Sequence, residues 1–277
     1  MALTKRDQEI WMEIKEWEAE MKASEPTDFE TYYDRWIENM FTLLPESTQQ
    51  EFFSKMDNWL FHLHSMIHES QFQLDARNRI LTNARVFDEN ISTLKDLKEL
   101  SIDQLAYIAE QQVARHRMYS LVQGGISAVN GGVALAADLP AQMVINLRSI
   151  QLIGISYGFE MNTPYEIMIS LKVFHAGTMP ERMQKYFWET LMEDLDHSPS
   201  YFYEGEDELS NVFWFDQPIK QMMKVMAIYF FRKKVFKGIP ILSMAIGSGA
   251  NYRLTKKVTD FADKFYKYRY LSEKENL

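Results

Sequence analysis

At 277 residues and 46% hydrophobic composition, the chain has ample apolar material for one large helical domain or two small ones. Its 14% aromatic content, with eleven Gly and eight Pro at scattered points, excludes a disordered tract. Zero Cys excludes disulfides, thiolate metal sites, iron–sulfur ligation and cysteine nucleophiles, and a net charge of -9 argues against nucleic acid as a partner.

Met1 to Asp7 has no apolar run of the secretory type, so a cytoplasmic location is expected. Ile10, Ile14, Trp17 and Met21 recur at helical spacing and predict a first amphipathic helix. Phe29, Tyr33, Trp36, Met40 and Leu44 form a second stripe that ends at Pro45. Thr48 with Glu51 reads as a capping box for a third helix, whose buried side is Phe52, Met56, Trp59, Leu63, Met66 and Ile67.

Between Asp88 and Leu100 the pattern turns short and polar, which suggests a division into an N-terminal helical extension, 1–100, and a second unit, 101–277. Ser101 with Gln104 opens the next helix, with Ile102, Leu105, Ile108 and Ala109 inward. Met118 to Ala137 carries no charge, yet its Gln, Asn, Ser and Gly residues make a poor membrane span. Asp138 and Pro140 then predict a break, after which Met143, Leu147, Ile150 and Ile153 resume a stripe that stops near Gly158.

Thr163, Pro164 and Glu166 supply a cap residue, a first-turn proline and a reciprocal acidic partner for a helix ending near Gly177. Pro180 opens another, to about Leu195, followed by an acidic loop over 197–208. An apolar helix from Ile219 to Phe231 runs into basic residues. Pro240, Gly247 and Gly249 punctuate a small-residue segment before a last helix with Leu254, Val258, Phe261, Ala262 and Phe265 inward. With no alternating strands, the fold expected is all-α, a multi-helix globular bundle around a glycine-rich helical hairpin.

The charge is uneven. From Gln217 to Leu271 there are twelve basic and two acidic residues, a charge of +10, which leaves -19 for the rest. Such a region can face anionic lipid, an acidic protein surface or the chain's own acidic half.

Chemical motifs are few. His62, His64 and His68 lie on one predicted helix, and the pair four apart has metal-binding geometry, but Ser65 stands where a metalloprotease has its Glu. Glu189, Glu193, Asp194 and Asp196 read as a solvated acidic face, because no E-x-x-H element completes a di-iron site. Nucleophile-elbow and phosphate-loop motifs are absent, so the motifs identify no catalytic residue, and no metal or cofactor is expected. Asp138, Arg148, Glu166 and Asn251 each interrupt an apolar or small-residue segment, and together they form a candidate polar network or ligand site.

Two ordered blocks resemble the EcsC protein family. The first runs from Gly124-Gly125-Ile126 through Gly131-Gly132-Val133 to Asp138-Leu139-Pro140, Leu147-Arg148-Ser149-Ile150 and Tyr157-Gly158-Phe159. The second joins Gly238-Ile239-Pro240, Gly247, Asn251-Tyr252, Ala262, Phe265-Tyr266 and Arg269-Tyr270-Leu271. The family is named for a bacterial gene that neighbours those of an ABC transporter, so the resemblance implies a bacterial source and a transport-associated setting.

The resulting expectation is an accessory protein at the inner face of the membrane. Its partner is an anionic membrane surface or a membrane protein complex, reached through Lys220, Lys224, Arg232, Lys233, Lys234 and Lys237. The alternative is an enzyme or small-ligand binder built on the polar set.

Overall fold

The computed structural model describes residues 3–22, 70–129, 132–179, 181–196 and 240–275, with isolated positions at 39, 42, 46, 50 and 224. Among these there are seven α-helices and no strand. The helices are α1 (Lys5–Lys22), α2 (Ser70–Ala84), α3 (Ile102–Val129), α4 (Gly132–Ser156), α5 (Pro164–Thr178), α6 (Glu181–Asp196) and α7 (Pro240–Glu275). Apart from those isolated positions, the second and third predicted helices, with the three histidines, lie outside the described residues. So do the 197–208 loop and all the 217–237 stretch except Lys224, which is helical and half-buried.

Local signals set several helix ends. Ser101 and Gln104 form the expected reciprocal box, with the Ser101 amide donating to Gln104 Oε1 at 2.8 Å and the Gln104 amide to Ser101 Oγ at 3.3 Å. Thr163 Oγ1 accepts from the Glu166 amide at 3.2 Å, and Pro164 occupies the first turn. The expected return bond from the Glu166 carboxylate is replaced, because both of its oxygens are taken by Arg269. At the end of α4, Gly158 has φ 85°, with the Phe159 amide donating to Gly154 O and the Gly158 amide to Ile155 O. This Schellman arrangement stops the helix where the sequence predicts.

Two expected breaks are absent. α4 runs unbroken through Asp138 and Pro140, and α7 is one 36-residue helix from Pro240 through Gly247 and Gly249. A single internal Gly costs a helix only about 1 kcal/mol and Pro about 3 kcal/mol. Packing along the flanks of these long helices outweighs those local penalties.

α7 is the axis of the fold, contacted by α1, α3, α4 and α5. Arg117 meets Thr259 and Ser120 meets Thr255, so α3 runs antiparallel to α7. Gln142 meets Thr255 and Tyr157 meets Asp263, so α4 runs parallel to it. α3 and α4 therefore form an antiparallel hairpin laid along α7, with Gly124 and Gly125 on one arm and Gly132 on the other. At Gly177 a Cβ would stand 3.1 Å from Val258 Cα, so the absent side chain lets α5 lie close on α7.

The core extends into the N-terminal hundred residues. Ile91, Leu94, Leu97 and Leu100 of the polar-looking 88–100 stretch are buried with Ile10 and Ile14 of α1. Asp7 is buried and accepts from Lys274 Nζ at 2.8 Å. Burial pushes its carboxyl up, but the Lys274 ammonium and the Thr4 amide and hydroxyl outweigh this and hold it below the ordinary carboxylate value. Trp11 stacks on Tyr268 and Trp17 meets Trp188 edge-on, both at 4.9 Å between ring centres, so these indoles serve the fold. Trp36 lies outside the described residues.

Candidate functional site: a polar seam between three helices

The apolar helices α3, α4 and α7 each carry small polar residues one turn apart on the face turned to the other two. These are His116 and Ser120 on α3, Gln142, Asn146 and Ser149 on α4, and Asn251, Thr255 and Thr259 on α7. All but the half-buried His116 are buried. At the centre, Gln142 Nε2 donates to Ser120 Oγ at 2.9 Å and to Thr255 Oγ1 at 2.7 Å. The two hydroxyls lie 2.7 Å apart, and Ser120 Oγ donates onward to Gln142 Oε1 at 3.3 Å. This triad is neutral, and among the described residues no base lies beside either hydroxyl, so it ties three helices together.

The seam is unsatisfied on either side of that knot. Asn146 Nδ2 donates to Gln142 O at 2.7 Å, an acceptor that only the amide nitrogen can serve, which leaves the buried Oδ1 with no partner. One turn to the other side, the buried Nδ2 of Asn251 has none among the described residues either. Each orphan costs roughly 1–3 kcal/mol relative to a bonded group.

His116 closes one end of the seam. Its Nδ1 lies 3.2 Å from Ser149 Oγ, whose own proton goes to Ile145 O at 2.6 Å. Ser149 can then only accept, so Nδ1 carries the hydrogen and Nε2 holds the lone pair. Burial lowers the imidazole pKa, the Ile145 carbonyl opposes this in part, and the charges of Arg148 and Arg79 add smaller lowering effects. Phe72 packs near the imidazole at 6.4 Å, and the Arg148 guanidinium lies 4.6 Å over the same ring.

The four residues singled out in the sequence are distributed along the bundle. Asp138 and Asn251 share a level, each one turn before the Gln142–Thr255 contact on parallel helices. Arg148 is ten residues further along α4, about 15 Å away at the helical rise. Glu166 pairs with Arg269, eighteen residues or about 27 Å beyond Asn251 on α7. Asn251 thus belongs to the seam, Arg148 to the His116 corner, and Glu166 to a separate ion pair. The sequence reading missed His116, Gln142, Asn146 and Thr255, although a repeat of small polar residues at steps of three and four inside apolar helices marks them.

A scan against protein-family models matches the EcsC protein family over residues 8–271. The chain belongs to the EcsC protein family. The match includes most of the N-terminal hundred residues as well as the two glycine-bearing blocks. Among EcsC relatives, the chain is 23% identical over 276 residues to "Uncharacterized protein YdbA" of Bacillus subtilis (strain 168), covering 98% of this chain and 96% of that one. It is 22% identical over 197 residues to "Protein EcsC" of the same organism, covering 70% of this chain and 75% of that one. No solved structure matches.

Within this EcsC-family chain two acidic groups of α6 have basic neighbours. Lys172 Nζ donates to Asp194 at 2.6 Å, and Lys185 lies 3.9 Å from Glu189. No group of three or more His, Asp or Glu among the described residues is placed to hold a metal ion. No described helix is long and apolar enough to cross a membrane.

Proposed function

We propose that this EcsC-family protein is an accessory protein that docks on the inner face of the membrane through the basic stretch 220–237, in a transport-associated setting. One observation carries the reading. On α7 most of the cations are engaged within the fold, Lys256 with Asp260, Lys267 with Asp263, Arg269 with Glu166, Lys257 with the carbonyls of Thr178 and Met179, and Lys264 over Trp17, while Arg253 is exposed. Asp260, Asp263 and Glu166 thus neutralise three of the six cations between positions 253 and 269.

What remains is concentrated in Lys220, Lys224, Arg232, Lys233, Lys234 and Lys237, six cations with no acidic residue between positions 217 and 259. Each basic residue near an anionic leaflet contributes about 1 kcal/mol, a sum that suffices for reversible attachment. Phe230, Phe231 and Phe236 lie among them and supply apolar contact at the interface.

The test is co-sedimentation of the purified protein with neutral and anionic vesicles at low and high salt. Salt-sensitive binding to anionic vesicles alone, lost in the R232E/K233E/K234E variant, is the expected result. Equal recovery in the supernatant with both vesicle types would overturn the reading.

A further inference from the structure

α3 runs antiparallel to α7 and α4 parallel to it, so the C-terminus of α3 and the N-termini of α4 and α7 lie at one end of the bundle. That end is almost free of charge. Residues 118–129 of α3, 132–147 of α4 and 240–252 of α7 include one charged residue, Asp138. It shares the register of Gln142, one turn away on the face that α4 turns to α3 and α7, so the outward registers of all three helices are uncharged. Beyond the Ser120–Gln142–Thr255 knot, α3 continues to Val129 and α4 reaches back to Gly132, about 14–15 Å of helix. That length passes a headgroup layer and falls far short of the ~30 Å hydrocarbon core.

The outer side of α3 follows the order of chemistry met on approaching a bilayer. Glu110, then Arg115, then Met118, Tyr119 and Val122 are exposed, so the surface passes from acidic to basic to apolar. Met118, Tyr119 and Val122 leave 57%, 60% and 54% of their surface in water. Further along, the same register passes through Gly125, Ile126 and Val129. Exposed Arg253 stands two residues before Thr255, the partner of Ser120, which puts a second cation near the level of Val122. Lys237 precedes Pro240 by three residues, at most about 11 Å of chain, so the basic stretch joins the fold at this end. An apolar tip with a tyrosine and arginines behind it complements anionic headgroups above acyl chains.

We infer that this end of the bundle, with Met118, Tyr119 and Val122 leading, enters the headgroup interface of an anionic lipid leaflet. The inference rests on the proposed membrane docking and adds its contact surface and orientation: the bundle stands end-on, with the C-terminus of α7 away from the lipid.

The chain has no Cys, so one introduced cysteine carries an environment-sensitive fluorophore at a single site in the full-length protein. Val122→Cys reports on the proposed contact. Val86→Cys is the control, an 82% exposed valine next to Phe87, which meets Tyr107 near the start of α3 at the other end. Phosphatidylglycerol vesicles should shift emission at position 122 to the blue and allow its quenching by lipid-borne nitroxides, with no change at position 86. The M118S/V122S variant, altered only at exposed positions, should keep its helical circular dichroism and bind these vesicles about tenfold more weakly. Vesicle binding with position 122 unshifted and M118S/V122S unaltered overturns the inference and leaves docking through 220–237 standing. Absence of vesicle binding removes both. A blue shift at position 122 that grows with protein concentration without vesicles assigns the surface to a second copy of the chain and overturns the lipid contact.

Discussion

Glu166 and Arg269 form a two-pronged ion pair, Nη1 to Oε2 at 2.7 Å and Nη2 to Oε1 at 2.6 Å, between the first turn of α5 and the last turns of α7. Both side chains are close to nine-tenths buried, and the guanidinium also lies 4.0 Å over the Phe159 ring. Removing one partner leaves the other charge desolvated, at a cost of about 3–5 kcal/mol. Glu166→Gln should therefore lower the unfolding free energy by an amount in that range in a urea titration. The Glu166→Gln, Arg269→Met double variant should recover part of the loss; equal losses in single and double variants would contradict this account.

Gly158 is the one described residue with positive φ, and a Cβ there would stand 2.9 Å from Leu94 O. Gly158→Ala faces a left-handed penalty of about 1–2 kcal/mol and a backbone collision as well. The expected outcome is a fall in melting temperature, with helical circular dichroism retained below the transition. Gly154→Ala meets mainly the end of Met161, a flexible side chain that can move, and should be milder.

The Ser120–Gln142–Thr255 knot predicts non-additivity. Thr255→Val deprives the Gln142 amide of one acceptor and Ser120 of its hydroxyl partner, at about 1–3 kcal/mol. Ser120→Ala, Gln142→Leu and Thr255→Val combined remove every member of the triad and leave no polar atom of it stranded. Denaturant midpoints should show the triple variant less destabilised than the sum of the singles, and strict additivity would mean that the three do not act as a unit.

His175, packed 4.7 Å from Phe187, has its pKa pushed down to about 4 by burial. An unfolded histidine titrates near 6.5, so between about pH 6.5 and 4 the unfolded chain binds the extra proton. The sign follows: this stability is complete above the unfolded value and is lost as pH falls through the folded one. Melting of wild type and His175→Leu across that window should give a flatter pH dependence in the variant, and parallel curves would remove His175 as the source.

The helical class, the caps at Ser101 and Thr163, the stop at Gly158 and the inward residues of the last helix are legible in the sequence. Each is written in contacts within about one turn or in a 3.6-residue period. The same local signals mislead at Pro140 and Gly247–Gly249, where helices continue because neighbouring elements support them over their length. The burial of Ile91, Leu94, Leu97 and Leu100 is likewise not legible, since polar and charged residues fill the positions between them and their partners are distant in sequence.

The sequence by itself determined which residues interrupt apolar helices and where positive charge accumulates. Tertiary structure alone decided their partners: Glu166 with Arg269, 103 positions apart, and Ser120 with Thr255, 135 apart. It also placed Arg148 with Phe72 and His116 instead of with Asp138 and Asn251. The physical reason is that a buried polar group is satisfied through the direction and register of its helix, and register is set by the summed packing of many apolar neighbours and not by the polar residue itself.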